Sequence, residues 1–192
     1  MSAHYINAQG CDRSKLDALS LHQFLAGYPR TTKTFTHADN SLRVYWHTLF
    51  DLCPQLLKLD APEAMGMFRG FIKYAAAQNL PLNWTLHCSL YRWLLSSEFA
   101  PGLNAEHLEA IMLATVSLWC SNDQSGKVGI ALAHSHSPLV VIGWKSKGHN
   151  ARSALDVLEP QGFTPPSKDF GYLTLAQYPF DLLRRFKPLP KH

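Results

Sequence analysis

The chain has 192 residues, 46% of them hydrophobic and 17% charged, and a net charge of +4. That length and apolar content suffice for one well-buried domain and exclude a disordered chain. No apolar run reaches the roughly 18 residues that cross a bilayer, and the opening Met1-Ser-Ala-His-Tyr-Ile stretch lacks the basic start and apolar block of a signal peptide. The expectation is a cytoplasmic protein with no membrane contact.

In chain order, a polar leader runs into a first helix, about Ser14 to Ala26, with Leu16, Leu19, Phe24 and Leu25 for packing and Gly27 as its stop. Tyr28 to Asn40 reads as a polar connector. A second helix, about Ser41 to Cys53, carries the stripe Leu42, Tyr45, Trp46, Leu49, Phe50 and Cys53, and Pro54 disfavours its continuation. Asp60-Ala-Pro-Glu63 resembles an N-cap, a first-turn proline and a capping-box glutamate, so a third helix is predicted from about Ala61 to Gln78. Within it Gly66 and Gly70, one turn apart, would let another backbone come close. A fourth helix, about Trp84 to Ser97, is expected to form an αα-hairpin with the helix that follows.

That following stretch, Asn104 to Trp144, is the core of the reading. Leu108, Ile111, Met112, Thr115, Val116 and Trp119 recur at helical spacing, and the apolar flanks require burial by neighbours. Val128–Ala133 and Leu139–Trp144 then read as a β-hairpin, the second strand apolar enough to be covered on both faces. In the first strand Gly129, Ala131 and Ala133 make one face nearly flat, which invites close approach. A fifth helix is predicted over about Ala151 to Glu159, with Asn150 as N-cap and Ala151, Ala154, Leu155 and Leu158 as its stripe. A third strand is expected over Tyr172 to Ala176, right-handed in its crossover if parallel to the second, and Pro179 opens a short last helix through Phe186.

The expected architecture is a single α+β domain over residues 1–192, mainly α. It comprises a bundle of about five helices over about 14–120, a small β-β-α-β sheet element in a basic part over about 127–186, and short polar tails. Cys11, Cys53, Cys88 and Cys120 are widely spaced, with no Cys-x-x-Cys pair, and read as free thiols with at least two in the core.

Four features bear on function. Residues 1–126 hold nine Lys/Arg against ten Asp/Glu, whereas residues 127–192 hold nine against four, so the last third carries the basicity. The order helix, helix, hairpin matches a winged helix-turn-helix, yet no Lys or Arg lies between Arg92 and Lys127, which makes the helix over 104–120 a poor reader of DNA. If nucleic acid or another anion binds, the contacts expected are Lys145, Lys147, His149 and Arg152, with Arg184 and Arg185; the bland alternative is a solvated basic loop. Gly143 to Asn150 echoes the first part of a P-loop but has His149-Asn150 where Lys and a hydroxyl should stand, so nucleotide hydrolysis is not expected.

His134 and His136 at the hairpin tip stand two apart, on one side of a strand, where they could share a metal; the plainer reading is an exposed polar turn. Aromatics outside the helical stripes, among them Tyr28, Phe99, Phe163 and Phe170, lie on connectors, where they either anchor partners or pin loops. No catalytic or cofactor motif is recognisable. The reading is therefore a non-enzymatic binding protein, an adaptor or accessory subunit of a larger cytoplasmic assembly that works through protein–protein contacts. The alternatives are a nucleic-acid-binding or regulatory factor using the basic C-terminal third, and a metal-dependent enzyme at His134 and His136.

Overall fold

A computed structural model describes residues 33–62, 64–145, 154–176 and 186–189, with side chains from Leu42 onward. The chain divides into two compact units, Met1–Tyr45 and Trp46–His192. Of the first unit the described part is the beginning of helix α1 (Lys33–Phe50). The described residues hold four α-helices, two short 3-10 helices and one five-stranded antiparallel sheet, a mixed α+β fold.

Helix α1 ends three residues before Cys53-Pro54, as the proline requires, but begins well before Ser41 and takes up part of the predicted connector. Its last turns bury Leu49 and Phe50, and Trp46 stacks edge-on against Phe68 with 5.1 Å between ring centroids. A 3-10 helix, Pro54–Asp60, follows, and the next α-helix, α2 (Met65–Ala77), starts four residues later than predicted. The capping function of Asp60 survives the displacement: its Oδ2 accepts the Met67 N–H at 2.8 Å from outside the helix, while Ala64 takes the N-cap position at φ 52°. At Gly70 the close neighbour is a side chain, not a backbone. A Cβ there would stand 2.8 Å from the Trp93 ring.

Helices α3 (Leu86–Leu95) and α4 (Ala105–Asn122) pack together as the expected hairpin. Asn104 caps α4 by accepting the His107 N–H at 3.2 Å, and His107 Nδ1 accepts the Asn104 N–H in return at 3.3 Å. Between the helices Cys88 Sγ meets Thr115 Oγ1 at 3.3 Å, and the Cys53 thiol donates to the Ala110 carbonyl at 3.1 Å. Cys53, Cys88 and Cys120 are all buried free thiols. His87 is also fully buried, with Nε2 3.3 Å from the Leu49 carbonyl oxygen. Burial pushes its pKa down to about 4, against the pull of the Leu49 and Thr48 carbonyls.

The sheet has the order β3-β2-β1-β4-β5, with β1 Gly129–His134, β2 Val140–Trp144, β3 Ala154–Leu158, β4 Phe170–Leu175 and β5 Lys187–Pro188. The predicted hairpin is present, with Ala131 opposite Ile142. Two expectations are corrected. The predicted third strand pairs antiparallel with β1, Leu132 opposite Tyr172, so there is no parallel crossover. Ala154–Leu158, predicted as part of a helix, is a strand that pairs with β2 from Val140↔Leu158 to Trp144↔Ala154. The sequence element β-β-α-β is thus replaced by consecutive antiparallel strands, and the strands outnumber those of the helical-bundle reading. The reason lies in β2. Its Val140, Val141 and Ile142 are buried, so its second edge needs backbone partners that a strand supplies and a two-turn helix cannot. The helix expected over Ser14–Ala26 lies outside the described residues, as does the one expected over Pro179–Phe186 apart from Phe186 itself.

Both faces of the central strands are covered. On one, α4 comes so close that a Cβ on Gly143 would lie 2.3 Å from Val116 Cγ1 and 2.6 Å from Cys120 Sγ. The other is the flat face: Ala131, Ala133, Val140, Ile142 and Leu175 form a buried cluster under Trp144, Phe163, Leu173 and Phe186. Side chains, not a helix, fill the space that Gly129 and the two alanines leave among the described residues. Gly143→Ala should therefore overpack the α4–sheet contact and cost about 3 kcal/mol, read as a lower urea midpoint with an unchanged slope.

Candidate functional site

Two features meet at the end of the sheet where β1 finishes and β4 begins. The first is a polar cluster built by residues far apart in sequence. Arg92, on α3, sends Nε to Asp169 Oδ2 at 2.6 Å and Nη2 to the Leu189 carbonyl at 3.5 Å, with its guanidinium 5.8 Å from the centroid of Phe170. Asp169 stands at φ 56°, immediately before β4, and its carbonyl accepts the Ser135 N–H at 3.0 Å. A single residue thereby ties the loop after β3 to both the hairpin turn and α3.

His134 completes the cluster. It is buried at the end of β1, and its ring contacts Phe170, Tyr91 and His136 edge-on at 4.6, 5.6 and 5.4 Å between centroids. The His136 N–H donates to His134 Nδ1 at 3.2 Å, which places the ring proton on Nε2, toward Asp169 Oδ1 at 3.9 Å. Burial holds the His134 pKa below the ordinary histidine value; Asp169 opposes this, and His136 and Arg92 reinforce it. Burial also raises the pKa of Tyr91, and the Asp169 charge adds to that.

The hairpin turn is a ridge between two open hollows. One, of about 410 Å³, is lined by Tyr74, Leu95, Arg92, His134, His136 and Asp169. The other, of about 400 Å³, lies between His136, Pro138, Glu159, Pro160 and Phe163. The predicted metal pair therefore presents its two rings unequally, because His134 Nδ1 already accepts a backbone hydrogen bond whereas His136 is exposed on the ridge. Among the described residues no group of three or more His, Cys, Asp or Glu side chains is arranged to hold a metal ion.

Of the predicted anion contacts, Lys145 lies within the described residues. Its Nζ binds the Asp123 carbonyl at 2.6 Å and pairs with the Asp123 carboxylate, 4.4 Å above the Trp119 ring. Burial raises the Asp123 pKa, but the hydrogen bonds from Lys145 and Ser125 prevail and hold it below the usual carboxylate range. Lys145 thus fastens the end of β2 to the end of α4. Lys147, His149, Arg152, Arg184 and Arg185 lie outside the described residues.

The second feature is β3, which no sequence signal marked. It ends the sheet order, and all five of its residues are exposed. Leu155, Val157 and Leu158 remain 38%, 39% and 40% exposed. Register places Leu155 and Val157 opposite Gly143 and Val141, on the α4 side, and Ala154, Asp156 and Leu158 on the other. An edge strand presents half of its N–H and C=O groups outward, and natural edges are usually blunted by proline, lysine or a bulge. Within Ala154–Leu158 there is no proline or lysine, and the paired register is unbroken. Chemically, the Arg92–Asp169–His134 cluster is largely satisfied within itself, whereas the outer edge of β3 has no strand paired to it among the described residues.

A protein-family model described as "Methanobactin biosynthesis cassette protein MbnC-like" matches residues 25–190, nearly the whole chain. The chain belongs to this family. No curated protein matches it. Membership overturns the expectation of a non-enzymatic adaptor, since it places the chain among the proteins of a biosynthesis cassette; it gives no support to a nucleic-acid partner. No helix among the described residues is long and apolar enough to cross a membrane.

Asp169→Asn keeps the shape of the cluster but removes the charge facing Arg92, and should cost about 2 kcal/mol, measured by thermal or urea denaturation. Stability should also fall on acidification. His87 and His134 are neutral in the folded chain, whereas in the unfolded chain each takes a proton near pH 6.5. Their contribution is complete above that value and is lost as pH falls, until folded His87 itself protonates near pH 4. Urea titrations at about pH 7.5 and 4.5 should differ by roughly 3 kcal/mol, and His87→Leu should remove much of the difference.

Proposed function

We propose, on the premise of membership in the methanobactin biosynthesis family, that this chain works inside an enzymatic biosynthesis complex and holds an extended peptide segment as an added strand along β3. The observation that carries the reading is the exposed, largely apolar edge strand, with one carboxylate at its centre, of a sheet whose central strands are closed on both faces. Strand addition draws its affinity from main-chain hydrogen bonds and its selectivity from side chains on alternate faces, and β3 offers both. Leu155 and Val157 form a partly covered apolar shelf beside α4; Ala154 and Leu158 flank Asp156 on the opposite face.

The surroundings of β3 support the same reading. Its far end runs into Glu159 and Pro160, which border the hollow beside His136. A peptide aligned with β3 would leave the sheet at the end where both hollows open, so its next residues stand clear of the strand and accessible to a catalytic partner. One contribution of this chain to the enzymatic complex is then the placement of a flexible substrate. Fixing a peptide in one register removes much of the entropic cost of bringing its reacting residue to an enzyme.

The double variant Leu155→Lys/Val157→Lys places two charges on the edge at side chains that stay partly exposed, so their ammonium groups can reach water. Its melting temperature should stay within a few degrees of the parent, while binding to the other proteins or the peptide of the cassette weakens at least about tenfold. Hydrogen exchange of the 154–158 amides gives the direct readout: protection in the complex supports strand addition, and equal exchange in the free and complexed chain rules it out.

A further inference from the structure

The acidic residues of the C-terminal third are not spread evenly. Residues 127–192 contain four, Asp156, Glu159, Asp169 and Asp181, against nine Lys and Arg. Asp169 is engaged by Arg92, and Asp181 lies outside the described residues. The two that remain stand on and just beyond β3, both exposed and, among the described residues, without an ion-pair partner. Among the described residues, the exposed edge therefore carries negative charge within a part of the sequence whose balance is positive.

Register adds a pattern to this charge. Asp156 lies opposite Ile142 and points to the face away from α4, whereas its neighbours Leu155 and Val157 point to the α4 face. A strand added outside β3 must obey the same alternation, in either direction, because successive side chains go to opposite faces. The residue directly across from Asp156 has its Cβ about 5 Å away, where opposite charges attract and like charges repel. The residues before and after it lie across from the Leu155–Val157 shelf, which favours aliphatic side chains. On the Asp156 face, Ala154 and Leu158 supply apolar surface along which the stem of a lysine or arginine can lie.

We infer that β3 selects an extended peptide in which aliphatic and basic residues alternate, with a lysine or arginine seated across from Asp156 between two aliphatic residues. This inference rests on the edge-strand reading and assigns to Asp156 the choice among peptides that could pair there. The same carboxylate also disfavours the pairing of β3 with a second copy of itself in the antiparallel register centred on this residue, since two Asp156 side chains would then face each other. An apolar edge is thereby kept open for a cationic strand.

The test uses the full chain and three fluorescein-labelled ten-residue peptides in which valine alternates with lysine, threonine or glutamate, read by anisotropy at low and physiological salt. The lysine peptide should bind about fivefold more tightly than the glutamate peptide, the threonine peptide should fall between, and added salt should narrow the gap. Asp156→Lys should reverse the order while leaving the threonine peptide nearly unchanged. If all three peptides bind alike, or if Asp156→Lys leaves the order as it was, the charge selection is wrong although the edge still takes strands. If none of the three binds and Leu155→Lys/Val157→Lys is equally without effect on the assembled complex, the edge-strand reading falls together with the selection.

Discussion

At Gly143 the backbone of β2 and the side chains of Val116 and Cys120 are so close that no Cβ fits between them. This contact sets the distance between α4 and the sheet, and the rest of the second unit follows from that distance. With α4 seated there, Ile111, Met112 and Val116 are fully buried, and the interior is dense enough that one added carbon must displace a neighbour. The salt bridge between Lys145 and Asp123 closes the same contact at its far end, stacked over Trp119. A lysine that sequence reasoning offers to an anion is thus used to hold the end of β2 against the end of α4. It also keeps the β2 edge in place for β3.

At the opposite end of the sheet a polar network is added to the packing of Tyr91, His134 and Phe170. Arg92 reaches a carboxylate 77 positions away and a carbonyl 97 positions away, and through Asp169 the hairpin turn joins the same network. Such an arrangement is expensive to desolvate and adds little net stability compared with an apolar core. Its value is positional. It fixes the loop between β3 and β4, and with it the direction in which β3 ends. The buried His134, neutral and bonded through Nδ1 to the turn, belongs to this brace, which leaves His136 as the imidazole that stands free on the ridge between the hollows.

Much of this fold is legible in the chain because its elements announce themselves locally. The stripe through Leu49 and Phe50, the helical spacing from Leu108 to Trp119 and the two apolar runs of the hairpin all follow from side-chain periodicity. The failures have one physical origin, in that each depends on a partner distant in sequence. Ala154, Leu155 and Leu158 fit a helical stripe, but the hydrogen-bonding demand of a buried β2 decides for strand. Asp60 caps a helix, yet does so across an intervening turn. The carboxylate of Asp169 is one among several in turn-rich sequence, and nothing nearby indicates that Arg92 will claim it.

The open edge is hardest to read from sequence for a further reason: exposure is a property of strand order. Leu155 and Val157 look like ordinary core residues until the sheet order shows, among the described residues, no strand paired beyond them. The same two residues between β2 and another strand of this chain would be buried and structurally unremarked. As an edge they are a liability, since an unpaired apolar strand promotes self-association. Keeping such a strand is reasonable only where a partner covers it for a useful part of the time, and a biosynthesis cassette provides that setting. Among the described residues the backbone edge of β3, and not a side-chain constellation, is therefore the feature that a reading of local sequence motifs cannot reach.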